Sequence, residues 1–110
     1  MAKFLAVFMA PAGGGERPDE ATMARGMQAW GQWMQDHAGQ IADTGGPLGK
    51  TRKVSKGGIA DASNNLAGYV VVEAPDQEAA AKLFENHPSF AIFPGDGVEV
   101  MPILPIPGAG

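Results

Sequence analysis

The chain of 110 residues contains no cysteine, only two histidines and a single tyrosine. Without cysteine it has no disulfide, no thiolate nucleophile and no cysteine-ligated metal, so we expect a reducing, cytoplasmic location. Basic residues are scarce as well, with eight lysines and arginines against twelve aspartates and glutamates. The resulting net charge of -4 repels a phosphate backbone, and nucleic acid is therefore not an expected partner.

Long apolar runs are also missing. The apolar segment from Phe4 to Met9 is shorter than the hydrophobic region of a secretory signal. No stretch approaches the roughly 20 apolar residues of a membrane span, so no membrane partner is expected. The glycine-rich segment GGGERP lacks the Gly-Lys-Ser/Thr ending of a phosphate loop. A chain of this size forms one core, which predicts a single domain over residues 1–110. No cofactor is expected.

What the sequence does contain is a regular alternation of strand-like and helix-like segments. The predicted elements are a strand over 3–9, a loop over 10–18, a helix from Pro18 or Asp19 to about Asp43, strands at about 50–55 and Leu66–Ala74, a helix within 75–88 capped by Asp76, and a strand over 98–104. The order βαββαβ is typical of an α+β fold of the ferredoxin-like type with an antiparallel sheet.

The first helix carries one apolar stripe, because six of its residues recur at steps of three and four. They are Met23, Met27, Trp30, Met34, His37 and Ile41. We expect this stripe to face the sheet. Trp33 falls off its centre and is expected at a rim or an interface.

The strands are apolar on both faces. In the first strand Phe4, Ala6 and Phe8 point one way, while Leu5 and the alternate residues after it point the other. Two helices can cover only one face of a sheet. The other face is expected to pack on a second copy of the chain, which predicts a homodimer built as a dimeric α+β barrel.

Four segments in this order resemble the YCII-related, or DGPF-domain, family. They are KFLAVFM, the GGPLG that follows the first helix, IADASNNLAGYVVVEAPDQEAAAKLFENHP, and GVEVMPIL. The resemblance covers nearly the whole chain, and its most specific parts are Leu66–Glu73, Asn86–Pro88 and Val98–Pro102. It implies a dimeric ferredoxin-like α+β barrel, in agreement with the two-faced strands.

The resemblance implies less about catalysis. Some such proteins have a histidine early in the first helix and a nearby aspartate, proposed as an acid–base dyad. The histidine position falls at about Ala29 or Trp30 here, so the dyad is not evident. The DGPF element matches only at Asp61, and His87 stands where an aspartate is typical. An enzyme is therefore not the favoured interpretation.

Five residues remain candidates for lining a ligand pocket: Trp30, Trp33, His37, Asp61 and His87. A histidine with an orienting partner can act as a base near neutral pH, and indole rings can stack on flat ligands. Each candidate also has a structural interpretation: packing for His37 and Trp30, capping near a helix terminus for His87, and capping of its own loop for Asp61. No metal-binding spacing joins the two histidines.

Three functions are consistent with these features. The favoured one is binding of a small molecule between the first helix and the sheet. The second is a cofactor-independent enzyme that uses His37 or Asp61 as its acid or base. The third is a structural or interaction module with apolar surface near residues 89–94 and the proline-rich tail.

Overall fold

A four-stranded antiparallel sheet organises the protein. The computed structural model describes residues 1–11 and 17–108. Its elements are β1 (Ala2–Met9), α1 (Glu20–Asp36), a 3-10 turn (Ala38–Gln40), β2 (Ile41–Pro47), β3 (Thr51–Ser55), β4 (Gly58–Ala62), β5 (Leu66–Ala74), α2 (Gln77–Lys82), α3 (Pro88–Ala91) and β6 (Gly97–Pro102). The strand order is β2-β5-β1-β6, and every neighbouring pair is antiparallel.

This order confirms the α+β fold expected from the sequence. The framework β1, α1, β2, β5, α2 and β6 gives the βαββαβ arrangement of the ferredoxin-like type. Strands β3 and β4 are additional to it. They lie between β2 and β5 in the sequence and form a separate two-stranded sheet. We call residues 49–64, which contain this hairpin, the arm.

The second strand of the framework was wrongly predicted. The segment at 50–55 does form a strand, β3, but that strand lies in the arm and not in the main sheet. The strand that occupies the sheet is β2, most of which follows the predicted helix and whose first three residues, from Ile41, fall inside it. Glycines and proline in GGPLG concealed it, because a bulged strand of this composition has low β propensity.

The first helix ends earlier than its periodicity predicts. It stops at Asp36, with His37 as the C-cap, and Ile41 has extended backbone angles. Ile41 pairs with Val72 and packs against the core from the strand. The four-residue spacing from His37 to Ile41 is therefore not helical. The short turn between them brings Ile41 back against the same core that α1 covers.

Helices α1 and α2 each begin after an N-cap aspartate. Asp19 accepts a hydrogen bond from the Thr22 N–H at 2.8 Å, which starts α1 and lowers the pKa of that carboxyl. Asp76 accepts from the Ala79 N–H at 2.8 Å and starts α2 as predicted. The helix predicted within 75–88 is shorter than that range, because α2 ends at Lys82 and Pro88 is the first residue of a separate helix, α3. Part of the expected loop over 10–18 lies outside the described residues.

The core lies between the helices and one face of the sheet. Its buried apolar residues are Phe4, Ala6, Phe8, Trp33, Val70, Val72, Ala74, Ala80 and Phe84. The predicted alternation in β1 is confirmed, because Phe4, Ala6 and Phe8 all belong to this cluster. No helix in the described part of the chain is both long and apolar enough to cross a bilayer.

The buried face of α1 is rotated relative to the predicted stripe. Its buried residues are Gly26 and Trp33, whereas Met27 is 64% exposed. Gly26 permits the rotation, because a Cβ atom there would collide with the ring of Phe93. A hydrophobicity pattern does not register a glycine as a contact position, so the stripe was centred on its larger neighbours.

Candidate functional site

An apolar cleft of about 440 Å³ lies between α1 and the sheet. The helix contributes Met27, Trp30, Gly31 and Met34, and strand β1 contributes Phe8. The opposite wall is formed by β2 and β5, through Thr44, Gly46, Pro47 and residues 67–70. None of the lining residues is charged, and the volume is within the usual range for a small-molecule site.

Two glycines keep the cleft open. Around Gly31, no atom lies within 4 Å of the position that a Cβ atom would take, so this part of the helix faces empty space. On the opposite side, a Cβ atom at Gly68 would lie 3.5 Å from Cδ2 of Phe8 and 3.1 Å from the Gly46 carbonyl oxygen. Side chains at these two positions would occupy the space between helix and sheet.

The β2 wall depends on an irregular strand. Its pairing with β5 shifts register between Ile41 and Asp43 and again between Asp43 and Gly46. Gly45 has a φ of 61°, and a Cβ atom there would collide with the Tyr69 carbonyl. The Gly45 N–H donates to Oδ1 of Asp43 at 2.9 Å. The two register shifts leave Thr44 without a paired residue in β5, at the point where β2 lines the cleft.

The two tryptophans occupy different environments. Trp30 is half-buried and lines the cleft, with its ring centroid 4.8 Å from that of Phe8. Trp33 was expected at a rim, and this is wrong: it is 8% exposed and belongs to the core. Its indole N–H donates to the Leu83 carbonyl at 2.9 Å. That bond fixes α1 against the turn after α2.

His87 lies behind the cleft wall rather than in the cleft. It is fully buried, and its ring is stacked 4.9 Å from Phe8 and lies edge-to-face with Trp30 at 4.7 Å. Nδ1 accepts a hydrogen bond from the Ser89 N–H at 3.0 Å, which makes His87 the cap at the start of α3. His87 was expected to cap the C-terminus of the preceding helix. It is a capping residue, but it caps the N-terminus of the next helix, α3.

The remaining polar atom of His87 has no partner among the described residues. Because Nδ1 accepts from the Ser89 N–H, the proton of the neutral ring is assigned to Nε2. Burial, with a smaller electrostatic contribution from nearby His37, lowers the pKa of His87 to about 4. The imidazole is therefore neutral at pH 7.

His37 and Asp61 lie outside the lining of the cleft. His37 is half-buried at the end of α1, with its ring centroid 4.8 Å from that of Trp33. Asp61 lies on the arm, where its carboxylate forms an ion pair with Arg52 at 3.2 Å and is 94% exposed. A single chain thus brings Trp30, Trp33, His37 and His87 into one aromatic cluster but leaves Asp61 apart from it.

The residues that line the cleft include no histidine, aspartate, glutamate, lysine or arginine that could act as an acid or a base. Over residues 1–11 and 17–108, no group of three or more histidine, aspartate or glutamate side chains is arranged to hold a metal ion. The cleft is lined mainly by aromatic, thioether and small apolar groups, and Thr44 and Tyr69 are the residues in its lining that carry a hydroxyl. This arrangement suits recognition of a flat, uncharged molecule.

Comparison with known proteins supports the fold. The chain is similar in structure to 5-chloro-2-hydroxyhydroquinone dehydrochlorinase (TftG) from Burkholderia phenoliruptrix AC1100, in a complex with 2,5-dihydroxybenzoquinone. The TM-score is 0.54, the sequence identity is 17%, and the likeness covers 89% of each chain. At this identity the likeness shows the fold alone, and it agrees with the α+β arrangement around an antiparallel sheet.

Sequence comparison adds no closer assignment. No protein-family profile matches the chain. None of the curated proteins matches it either. The structural likeness therefore rests on the shared arrangement of strands and helices.

Some features of the cleft were not identified from the sequence. Gly31 and Thr44 line it, yet they belong to no apolar stripe or motif, and Gly68 was noted only as part of the Leu66–Glu73 segment that carries the family resemblance. Glycines inside a helix and a strand were the available signal, because glycine is unfavourable in both and calls for a local reason. That signal does not say which element lies opposite, so it could not locate the cleft.

Proposed function

We propose that this protein binds a small, flat and uncharged aromatic molecule in the cleft between α1 and the sheet. The observation that carries the proposal is the cleft itself: about 440 Å³, bounded by Phe8, Trp30 and Met34, without a charged side chain in its lining. Such a site stabilises an apolar ring by burial and by aromatic contact, and disfavours a charged ligand that would lose its hydration.

The polar groups of the cleft would orient the ligand. Thr44 and the backbone of the bulged β2 strand lie on the wall opposite Trp30. A hydroxyl or carbonyl group on the ligand can hydrogen-bond there while its ring contacts the indole. The quinone-type molecule in the complex of the structurally similar TftG is also a small ring with polar substituents, which supports this ligand class.

Binding without chemistry is favoured over catalysis. His37 and Asp61, the two candidate bases, do not line the cleft, and His87 is sealed behind Phe8 and Trp30. A base must come within hydrogen-bond reach of the proton that it removes. The proposed role is therefore that of a binding protein. We further propose that it is cytoplasmic and that it is a divergent relative of the YCII-related family.

The binding unit is proposed to be a homodimer. The face of the sheet away from the helices, which we call the open face, presents Leu5, Met9, Tyr69, Val71 and Met101, around a buried Val7. None of α1, α2 and α3 covers it among the described residues. A second copy placed on this face would remove its apolar surface from water, with the same residues contributed by each subunit.

The cleft can be tested by filling it. We expect the wild type to bind naphthol but not naphthoate, followed by quenching of tryptophan fluorescence and by calorimetry. Gly31→Leu places a side chain in the open space of the cleft and should weaken naphthol binding at least tenfold. Gly31→Ala is the matched control, because it also raises helix propensity but leaves most of the space free.

Two results would contradict the proposal. Unchanged naphthol affinity in Gly31→Leu would place the bound ring outside this cleft. Equal affinity for naphthol and naphthoate would exclude the uncharged ligand class, whatever the effect of the substitution.

A further inference from the structure

The arm is an amphipathic ribbon with little support from its own chain. Strands β3 and β4 pair with each other and have no more than marginal contact with any other element. Their register places Val54 opposite Ile59, and Arg52 opposite Asp61, all on one side of the ribbon. Val54 is 74% exposed and Ile59 is 65% exposed. An isolated two-stranded hairpin is at best marginally stable in water.

The two sides of the arm differ in chemistry. The side described above joins the apolar pair Val54–Ile59 to the ion pair of Arg52 and Asp61. The other side carries Lys53 with small residues. A large cross-strand apolar pair on one side of an exposed ribbon is the pattern expected when that side packs against another surface.

The net charge of the arm indicates which surface it packs against. The arm contains four of the eight basic residues and one of the twelve acidic residues, so it carries +3 while the remainder of the chain carries -7. A second copy of this chain therefore offers the arm an oppositely charged body. On its open face, Glu99 lies opposite Val7 and forms no ion pair within the described residues.

We propose that the arm of each subunit packs against the rim of the open face of a second copy, beside the contact between the two open faces, with Val54 and Ile59 toward its apolar residues. This inference rests on the homodimer proposed above and adds a second contact to it. Five residues per strand span about 17 Å, and adjacent strands of a sheet lie about 4.8 Å apart. The arm is thus long enough to cross several strands of the partner sheet.

The first experiment measures the dimer dissociation constant of the full chain by sedimentation. The double variant Val54→Ser/Ile59→Ser should raise that constant about 100-fold or more, because both arms of the dimer lose their apolar pair. Leu104→Ser/Ile106→Ser is the matched control: these residues are 74% and 75% exposed but lie in the C-terminal tail. The control should leave the constant unchanged, and far-UV circular dichroism should show both variants folded.

The second experiment locates the arm, using the absence of cysteine in the natural chain. Mixed single-cysteine chains, Ile59→Cys with Met101→Cys, should be joined by a short bis-maleimide, since Met101 lies on the open face. Ile59→Cys with Met27→Cys should not be joined, because Met27 is on the helix side of the sheet.

The outcomes separate the two proposals. A dimer whose dissociation constant is unaffected by Val54→Ser/Ile59→Ser overturns the arm contact while leaving the open-face dimer intact. A wild type that stays monomeric at all accessible concentrations overturns both, without bearing on naphthol binding. Cross-linking to Met27→Cys in place of Met101→Cys would also overturn the proposed position of the arm.

Discussion

The two faces of the main sheet are made of alternate residues from the same strands, yet only one of them is covered by helices. On the covered face Val70 and Val72 are 1% and 0% exposed. Their neighbour Val71, on the open face, is half-buried. These three residues are all valines, so the difference in their burial does not come from residue type. It comes from what the rest of the chain places against each face.

The covered face also shows where packing is incomplete. Near α2 and α3 it is filled by Trp33, Phe84 and His87, whose rings contact one another. Toward β2 the helix and sheet separate at Gly31 and Gly68, and the cleft opens. One face thus contains both a dense aromatic core and the candidate site.

Truncation in the core should have the largest effect. Trp33→Ala removes a buried indole and its hydrogen bond to the Leu83 carbonyl, and should lower the free energy of unfolding by roughly 3–5 kcal/mol. Chemical denaturation at several protein concentrations measures it. Trp33→Phe should lose less, because it keeps much of the packing. A loss below 1 kcal/mol in Trp33→Ala would show that the core does not depend on this residue.

The buried histidine should make stability depend on pH. Its pKa is about 4 in the folded protein and near 6.5 when unfolded, so below pH 6.5 the unfolded state takes up the proton first. The free energy of unfolding should therefore fall as pH falls from 6.5 toward 4, by about 3 kcal/mol in total, and this contribution should be constant above pH 6.5.

The control for this prediction is His87→Asn, which retains an acceptor for the Ser89 N–H but does not titrate. Its absolute stability should be lower because the ring contacts are lost. Its denaturation midpoint should vary less with pH than that of the wild type over the same range. Equal slopes in the two proteins would mean that His87 is accessible to protons in the folded state.

A matched pair of substitutions tests the difference between the two faces directly. Val70→Ala should cost about 2 kcal/mol at any protein concentration, because its cavity lies inside one subunit. Val71→Ala should cost less in the monomer and should instead weaken self-association. Sedimentation and denaturation over a range of concentrations distinguish these effects. A concentration-independent loss in Val71→Ala equal to that of Val70→Ala would argue against an intersubunit role for the open face.

The smallest effect is expected at the ion pair of the arm. Arg52→Gln removes the contact with Asp61, whose side chain is almost fully exposed. Exposed ion pairs contribute little to stability, so the denaturation midpoint of the subunit should not change measurably. A clear destabilisation would indicate that the arm is packed against its own subunit, contrary to its lack of contacts.

Much of the fold was predictable because its signals are local. Strand β5 has the predicted bounds, and Asp76 caps α2 as expected. Strand β2 was missed because its bulges and glycines leave no alternating pattern. Of the five residues predicted to line a pocket, Trp30 lines the cleft, whereas Trp33, His37, Asp61 and His87 do not, and ligand binding by any of them stays a prediction. Which of several inward-pointing rings borders a cavity depends on how closely two elements approach, and a sequence does not encode that distance locally.

The sequence by itself determined the α+β order, the two apolar faces of the central strands and the scarcity of charge and cysteine, because period, capping and composition are properties of neighbouring residues. The tertiary structure alone decided that α1 turns Gly26 toward Phe93, that His87 is neutral in an aromatic core, and that glycines on facing elements leave a cleft. These features arise from contacts between residues far apart in the chain, where small side chains and burial set the distances.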